Sequence, residues 1–229
     1  MKTESVKVLY FVDRMLRGGI QSLVIDWVSR FDKSKIHVDF LLLDDGKEYE
    51  LEQTLKELGC TVYKLKGIWV KTPIDFIKYK YAVKNFFKEH HDYKYATVVH
   101  CDTPSGMLNP VEKICPLLKE YGILTVVDSV SGMFGNHMDV DKFQIDLLCG
   151  GSQKAVSAPP GLTFVTISDA VKDAMHERKT PIRSFYASLL AFEGYYEKKW
   201  FPYTMPISDI YGLRDRKSTR LNSSHITIS

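Results

Sequence analysis

Short apolar runs alternate with helix-like segments along this chain of 229 residues, and that alternation limits the folds open to it. Amphipathic segments separate most of the runs, at 20–31, 49–58, 73–87, 110–121 and 168–177. The strand-like runs themselves cover residues 6–12, 36–43, 60–65, 96–100, 123–127, 145–149 and 162–167. Such an order is typical of parallel β-α-β units. The sequence therefore predicts an α/β fold, in which ligands bind at the carboxyl ends of strands.

Composition and charge argue against several classes of protein. The chain is 45% apolar and 26% charged, as in ordinary globular proteins. The last fifteen residues supply +2 of the net charge of +3, and no basic stripe indicates nucleic acid as a partner. No run approaches the roughly 18 apolar residues of a membrane span, and the N-terminus lacks the apolar core of a signal peptide. We therefore expect a cytoplasmic protein without nucleic-acid or membrane partners.

Cysteine and histidine usage does not favour a metal site. The cysteines are widely spaced and form no Cys-x-x-Cys pair, which argues against zinc and against a disulfide framework. His90 and His91 are adjacent, but no third ligand is spaced to join them. We expect no metal and interpret the two histidines as a solvated helix end.

Lys154 stands in an unusual setting for a lysine. It follows the apolar run 145–149, lies among Gly, Ser and Gln residues, and precedes Pro-Pro-Gly at 159–161. A lysine that forms an imine needs a fixed approach to a carbonyl, and such a setting provides it. Asp128 follows the preceding strand-like run, so both groups should open onto the same edge of the sheet.

A lysine and a carboxylate at one edge suit pyridoxal phosphate chemistry. The carboxylate keeps the pyridine nitrogen protonated, while the lysine holds the aldehyde and later shuttles a proton. Ser152 and Gln153, beside the lysine, could donate hydrogen bonds to the cofactor. The alternative is that Asp128 caps a turn and Lys154 is a solvated loop residue.

Residues 96–214 closely resemble the class V, or serine–pyruvate and alanine–glyoxylate, aminotransferases. The matching segments occur in family order at 100–110, 126–131, 151–161, 178–186 and 203–206. The resemblance implies that pyridoxal 5'-phosphate is the cofactor, that Lys154 is its Schiff-base lysine and that Asp128 is the partner of the pyridine nitrogen. It also implies a reaction that moves an amino group from a small amino acid, such as alanine or serine, to glyoxylate or another 2-oxo acid.

The same resemblance implies further contacts and a homodimer. Thr103 and Ser105 would lie in the loop that contacts the ring hydroxyl or the substrate. Thr204, with Tyr203, would reach the phosphate of the neighbouring subunit's cofactor. The aromatic side chains crowded into residues 185–203 suit either a core or a dimer surface. The family's phosphate loop and substrate-binding arginine have no counterpart that we recognise here, so we expect weak or no turnover.

Residues 1–95 resemble a different family, the N-terminal half of GT-B glycosyltransferases. A first strand runs into the turn Gly18-Gly19 and a helix N-terminus, where backbone N–H groups can approach a phosphate or an acceptor. The expected architecture is thus a Rossmann-like half, 1–95, joined to a fragment of the large domain of pyridoxal-phosphate-dependent transferases, 96–214. The alternatives to an aminotransferase are a glycosyltransferase-type binding module and a chimera that folds partially or not at all.

Residues 215–229 form a third piece. Their composition is polar and shows no helical or strand periodicity up to His225. They resemble the translation of a common sequencing adapter, and we expect them to be disordered. A genuine disordered basic tail is the alternative.

Overall fold

The computed structural model describes residues 5–66 and 73–223, which form a mixed α/β fold around a seven-stranded sheet. The strands of this sheet are β1 Val6–Phe11, β2 Ile36–Asp44, β3 Thr61–Lys66, β4 Tyr95–Val99, β7 Leu124–Asp128, β8 Leu147–Gly151 and β9 Thr163–Ile167. They lie in the order β3-β2-β1-β4-β7-β8-β9. A separate two-stranded hairpin consists of β5 (Cys101–Asp102) and β6 (Met107–Leu108).

The predicted helices form close to their expected bounds, since apolar residues at helical spacing give each of them a face to bury. They are α1 Gly19–Arg30, α2 Glu50–Glu57, α3 Pro73–Glu89, α4 Val111–Lys119 and α5 Asp169–His176, followed by α6 Ile207–Ser223. None of the helices within the described ranges combines the length and hydropathy needed to cross a membrane.

The sheet is parallel except at one edge. Every neighbouring pair from β3 to β8 is parallel, whereas β9 runs antiparallel to β8. A parallel connection needs a crossover of about a dozen residues or more, usually helical, and residues 152–162 form turns instead. The strand order reverses between β1 and β4, so the switch point of the sheet lies there.

One sheet contains strands from both of the segments that the sequence divides at residues 95 and 96. β1 pairs with β4 over four residue pairs, from Val8↔Tyr95 to Phe11↔Val98. The larger of two buried clusters likewise combines Leu9 and Phe87 with Val127 and Leu148. The different origins that we predict for 1–95 and 96–214 stay a prediction, but the two segments share a sheet and a core.

The prediction of a disordered segment is wrong for residues 215–223. These residues continue α6, which begins at Ile207 and ends at Ser223. Arg, Lys and Leu are good helix formers, and extending an existing helix avoids the cost of nucleating a new one. Residues 224–229 lie outside the described part of the chain.

Asp146 ties together the start of two strands and the helix after them. Its side chain is 1% exposed, forms an ion pair with Lys119 and accepts hydrogen bonds from the Thr125 backbone N–H (3.0 Å) and the Ser168 hydroxyl (2.9 Å). Burial alone would raise the pKa of Asp146, but these three partners together hold it below its ordinary value. The carboxylate therefore stabilises the fold in its charged form.

Replacing Asp146 with Asn should lower the free energy of unfolding at pH 7 by about 2–3 kcal/mol, because charged hydrogen bonds are lost. Since the folded pKa is depressed, the contribution of Asp146 is fully present above about pH 4 and is lost as the pH falls through the folded pKa. Urea unfolding at pH 7 and at pH 3 measures both effects. Asp26→Asn removes an exposed i,i+4 partner of Arg30 and should cost less than about 0.5 kcal/mol; an equal loss in both variants would contradict the role of Asp146.

Candidate active site

Asp128 ends β7 at the carboxyl edge of the sheet. It pairs in register with Cys149 of β8, and its side chain is half-buried. The Val130 backbone N–H donates to Asp128 Oδ1 at 3.0 Å, which fixes the carboxyl at the start of the following turn. Burial raises the pKa of Asp128, and this hydrogen bond opposes the rise only in part. The carboxylate of Asp128 can thus accept further hydrogen bonds, because the one from Val130 does not offset the cost of burying its charge.

The cysteine beside Asp128 is not activated. Burial, with a contribution from the neighbouring Asp128 charge, raises the pKa of the Cys149 thiol to about 11. The thiol therefore stays protonated at neutral pH and is a poor nucleophile. Burial also raises the pKa of Tyr10, and the charge of Asp128 raises it further. Among these neighbours, Asp128 alone is suited to hold a charge.

Lys154 lies in the loop that connects β8 to β9. Its side chain is exposed, while its backbone carbonyl accepts a hydrogen bond from the Ser157 N–H at 2.8 Å. Ser157 has a φ of 58°, and this left-handed residue lets the loop turn back on itself. The loop thus holds the backbone of Lys154 and leaves its amine accessible.

Ser152 and Gln153 serve the loop itself. The Ser152 hydroxyl is buried, donates to the Pro159 carbonyl at 2.6 Å and accepts from the Leu162 N–H at 3.4 Å. A Cβ added to Gly151 would lie 2.5 Å from Gln153 Oε1, so this exposed side chain folds back over the end of β8. The Ser152 hydroxyl is thus engaged within the loop, and the cofactor contacts expected of Ser152 and Gln153 stay predictions.

A hydrogen bond between two hydroxyl groups joins the loop at 103–106 to the turn after Asp128. Thr103 Oγ1 lies 2.9 Å from Ser131 Oγ. The hydroxyl of Ser105 instead donates to Asp102 Oδ2 at 2.5 Å, and its backbone N–H binds the same oxygen. Thr103 is therefore placed beside the Asp128 turn, whereas Ser105 caps its own hairpin.

His100 is a residue of the site that sequence reasoning missed. It is buried just after β4; its backbone N–H donates to the Asp128 carbonyl (2.8 Å), and its Nδ1 is hydrogen-bonded to Ser129 Oγ (2.8 Å). Burial lowers the pKa of His100, so the imidazole stays neutral at pH 7. A Cβ on Gly132 would overlap this ring, so the turn passes directly over it. The sequence contains one indication of this contact, the glycine four residues after Asp128, where no side chain fits.

Tyr203 and Thr204 lie in an aromatic segment after α5. The Tyr203 ring packs on Tyr186 and Phe192, with centroids at 4.9 and 5.4 Å, and Thr204 is exposed. The contact that the resemblance implies, with the cofactor of a neighbouring subunit, stays a prediction.

The first two turns of α6 contact the Lys154 loop. A Cβ on Gly161 would overlap the Asp209 carboxyl, and one on Gly212 would lie 2.8 Å from Pro159 Cδ. Loop and helix are therefore in close contact at both positions, and larger side chains would separate them.

Gly132→Ala should destabilise the protein by about 1–3 kcal/mol, because the added methyl overlaps a buried ring that cannot move freely. Urea unfolding provides the measurement. Gly19→Ala is the matched control: its Cβ would meet nothing within 4 Å, and a change of less than about 1 kcal/mol is expected. Equal effects of the two substitutions would show that Gly132 is not constrained by His100.

Solved structures that share this arrangement of strands and helices include aminotransferases. The pyridoxamine-pyruvate aminotransferase of Mesorhizobium loti matches 97% of this chain and 48% of its own with a TM-score of 0.65, at 22% identity. The ureidoglycine-glyoxylate aminotransferase of Bacillus subtilis matches 87% of this chain and 50% of its own with a TM-score of 0.60, at 27% identity. The fold of both segments, and not only of 96–214, is thus that of these enzymes.

Curated relatives lead to the same family. An uncharacterized aminotransferase of Methanocaldococcus jannaschii is 41% identical over 133 residues, 58% of this chain and 34% of the relative. The alanine–glyoxylate aminotransferase of Callithrix jacchus is 34% identical over 124 residues, 52% of this chain and 30% of the relative. The chain spans about a third of the length of these relatives.

Class V aminotransferases use pyridoxal 5'-phosphate, the chemistry to which Asp128 and Lys154 point. The model of the family described as aminotransferase class-V matches residues 79–216, well over half of the chain. On this match the chain belongs to the class-V aminotransferase family.

Proposed function

We propose that this chain carries the cofactor-binding centre of a pyridoxal-phosphate-dependent aminotransferase that moves an amino group from a small amino acid to a 2-oxo acid. One observation carries the proposal: a half-buried carboxylate, Asp128, ends β7 in register with β8, whose following loop presents the exposed Lys154. The names of the relatives, with alanine, glyoxylate and pyruvate among their reactants, support this substrate class.

The residues present fit the cofactor. Burial raises the pKa of Asp128, and a protonated ring nitrogen beside it would supply the positive charge that its carboxylate lacks. Lys154 has an accessible amine on a loop held by hydrogen bonds at both ends. Thr103 is tied to Ser131 and so stands beside the same turn. When bound, the cofactor supplies an electron-withdrawing ring that stabilises negative charge on the substrate carbon.

The side chains have separate tasks in this proposal. Asp128 holds the positive charge of the ring nitrogen, and His100 and Ser129 fix the turn from which its carboxyl projects. Lys154 Nζ would hold the cofactor covalently, and as a free amine it would accept the proton that leaves the substrate carbon and donate the same proton later in the transfer. Thr103 orients the ring or the substrate.

Lys154→Ala should abolish covalent attachment of pyridoxal 5'-phosphate, because Lys154 is the one lysine among residues 5–66 and 73–223 that lies in the loop between β8 and β9. The chain mixed with the cofactor should show a visible absorption band, and borohydride reduction followed by peptide mass mapping should find the label on Lys154. Lys142→Ala, an exposed lysine before β8, serves as control and should leave both signals intact. A label that persists at full yield in Lys154→Ala would contradict the assignment.

Asp128→Asn should keep the covalent attachment and slow amino transfer from L-alanine to the bound cofactor by about a hundredfold, the usual cost of removing one preorganised electrostatic group. Single-turnover absorbance measures this rate, and Asp141→Asn, an exposed acid, is the control. A rate within about threefold of wild type would contradict the role of Asp128.

The same substitution has an opposite effect on stability without cofactor. Because burial raises the folded pKa of Asp128, its stability contribution is lost as the pH rises from about 3.9 through the folded value. Asparagine removes this penalty, so Asp128→Asn should unfold at a higher urea concentration than wild type at pH 7 and not at pH 3. A gain in stability at pH 7 would show that the variant folds and that the buried charge of Asp128 destabilises the protein when no cofactor is bound.

Finer expectations stay predictions. We infer a homodimer because large aromatic side chains are exposed at Tyr186, Tyr196 and Trp200, and sedimentation would test it. Nucleotide-sugar binding that depends on Gly18 and Gly19 would favour the glycosyltransferase-like alternative. The chimeric join, the adapter-like tail and a cytoplasmic location likewise stay predictions.

A further inference from the structure

One bulky residue near the candidate site has a strained backbone. Phe134 lies in the turn after Asp128, and its φ of 65° is in the left-handed region. Side chains other than that of glycine crowd the backbone there, so the conformation costs free energy and is rare for a bulky residue. Phe134 is 51% exposed, and burial of its ring therefore offsets that cost only in part. Neighbouring contacts must enforce the conformation.

The chain is fixed immediately before and after Phe134. Met133 is buried, and a Cβ added to Gly150 would overlap its sulfur, so the Met133 side chain lies directly on β8. The backbone N–H of Asn136 donates to the Gly132 carbonyl at 3.0 Å, and the Asn136 side-chain amide donates to the same oxygen at 3.3 Å. Phe134 cannot reach ordinary backbone angles unless one of these flanks moves.

The ring of Phe134 is anchored on the outer strand of the sheet. It packs edge to face on Phe164 of β9, with ring centroids 5.2 Å apart and ring planes at 75°. Such a pair stabilises a structure beyond the area that it buries. Phe164 pairs in register with Gly150, the residue on which Met133 lies. Met133 and Phe134 are thus attached to the same end of β8 and β9.

Phe134 contacts the face of the sheet opposite to Asp128. Asp128 is in register with Cys149, whereas Phe164 is in register with Gly150, and consecutive residues of a strand point to opposite faces. The Phe134 ring therefore does not line the face that holds the candidate cofactor centre. An effect of this ring on the site must pass through the backbone.

The backbone after Phe134 reaches the lysine loop. A Cβ added to Gly135 would lie 3.2 Å from the Cβ of Ala155, closer than ordinary van der Waals contact. Ala155 directly follows Lys154. The segment that begins at Asp128 thus ends against the loop that carries the lysine.

We propose that Phe134 is a positioning residue for Lys154. Its left-handed backbone directs Gly135 at the lysine loop, and the contact with Phe164 keeps it there. A contact on the far face of the sheet thereby holds the lysine loop in place relative to Asp128. The proposal rests on the proposed function, in which the lysine and the acid act on one cofactor, and it adds a residue that touches neither cofactor nor substrate.

Hydrogen exchange on the full chain without cofactor tests the proposal. In the lysine loop, the Ser157 and Ala158 amides donate to backbone carbonyls at 2.8 and 3.0 Å, so their exchange reports opening of the loop. Phe134→Gly relieves the strain but removes the ring, and both amides should exchange about fivefold faster, as expected for loss of an aromatic contact. Phe164→Ala, which removes the other ring, should have the same effect. Phe134→Tyr, which keeps the ring, should retain the wild-type exchange rates.

Gln144→Gly is the matched control. Gln144 is exposed, has a φ of 55° and lies in the turn before β8, so its replacement relieves similar strain away from the lysine loop. It should leave the exchange rates of Ser157 and Ala158 unchanged. Equally accelerated exchange in Gln144→Gly would overturn the proposal, and so would wild-type exchange in both Phe134→Gly and Phe164→Ala.

Amino transfer separates this proposal from the proposed function. In Phe134→Gly mixed with pyridoxal 5'-phosphate, borohydride should still label Lys154, while single-turnover transfer from L-alanine should slow about tenfold because the amine is less well placed. A labelled Lys154 in wild type with an unchanged transfer rate in Phe134→Gly would overturn the positioning role alone. Absence of the label in wild type would overturn the proposed function, and the exchange rates of the cofactor-free chain would then decide whether Phe134 holds the loop.

Discussion

The site depends on the register between β7 and β8. Three residue pairs define it, and the last of them sets Asp128 beside Cys149. Because side chains alternate across a strand, a slip of one residue would turn Asp128 to the opposite face of the sheet. Asp146 prevents such a slip from the other end, since its carboxylate binds the backbone of Thr125 at the start of β7. The buried carboxylate of Asp146 thus helps to fix the position of Asp128 in the candidate site.

Burial affects acids on this sheet in different ways. Asp146 is fully buried yet has a lowered pKa, because an ammonium and two hydrogen-bond donors surround it. Asp128 and Asp13 receive too few donors, and burial raises the pKa of both. The direction of the pKa shift therefore depends on the hydrogen-bond donors and cations around each carboxylate and not on how deeply it is buried. A buried carboxylate that has too few hydrogen-bond donors or cations around it is one to which a ligand can supply them.

Much of the fold was predictable, because seven apolar runs and the helices between them are local signals. The strand β9 was expected, but its direction depends on the connection at 152–162, which periodicity does not describe. The helix at 215–223 was missed because its polar sequence has no apolar residues at helical spacing. Helix propensity and continuity with the first part of α6 are sufficient to form it.

The candidate site was predictable only in part. Asp128 and Lys154 follow strand ends, so topology alone brings them to one edge. The partners of Ser152, Ser105 and His100 depend on how loops fold back, and short hydroxyl side chains often bind local backbone or neighbouring carboxylates.

The contact between the Lys154 loop and α6 has a consequence for the order of synthesis. Pro159 and Gly161 meet side chains and backbone that follow some fifty residues later, at Asp209 and Gly212. On the ribosome, β7 and β8 can pair as soon as both have emerged, since chains are made from the N-terminus. The loop lacks its lateral support until α6 has been translated. The loop around the lysine thus gains this contact only after the strands that carry Asp128 and the lysine loop have been made.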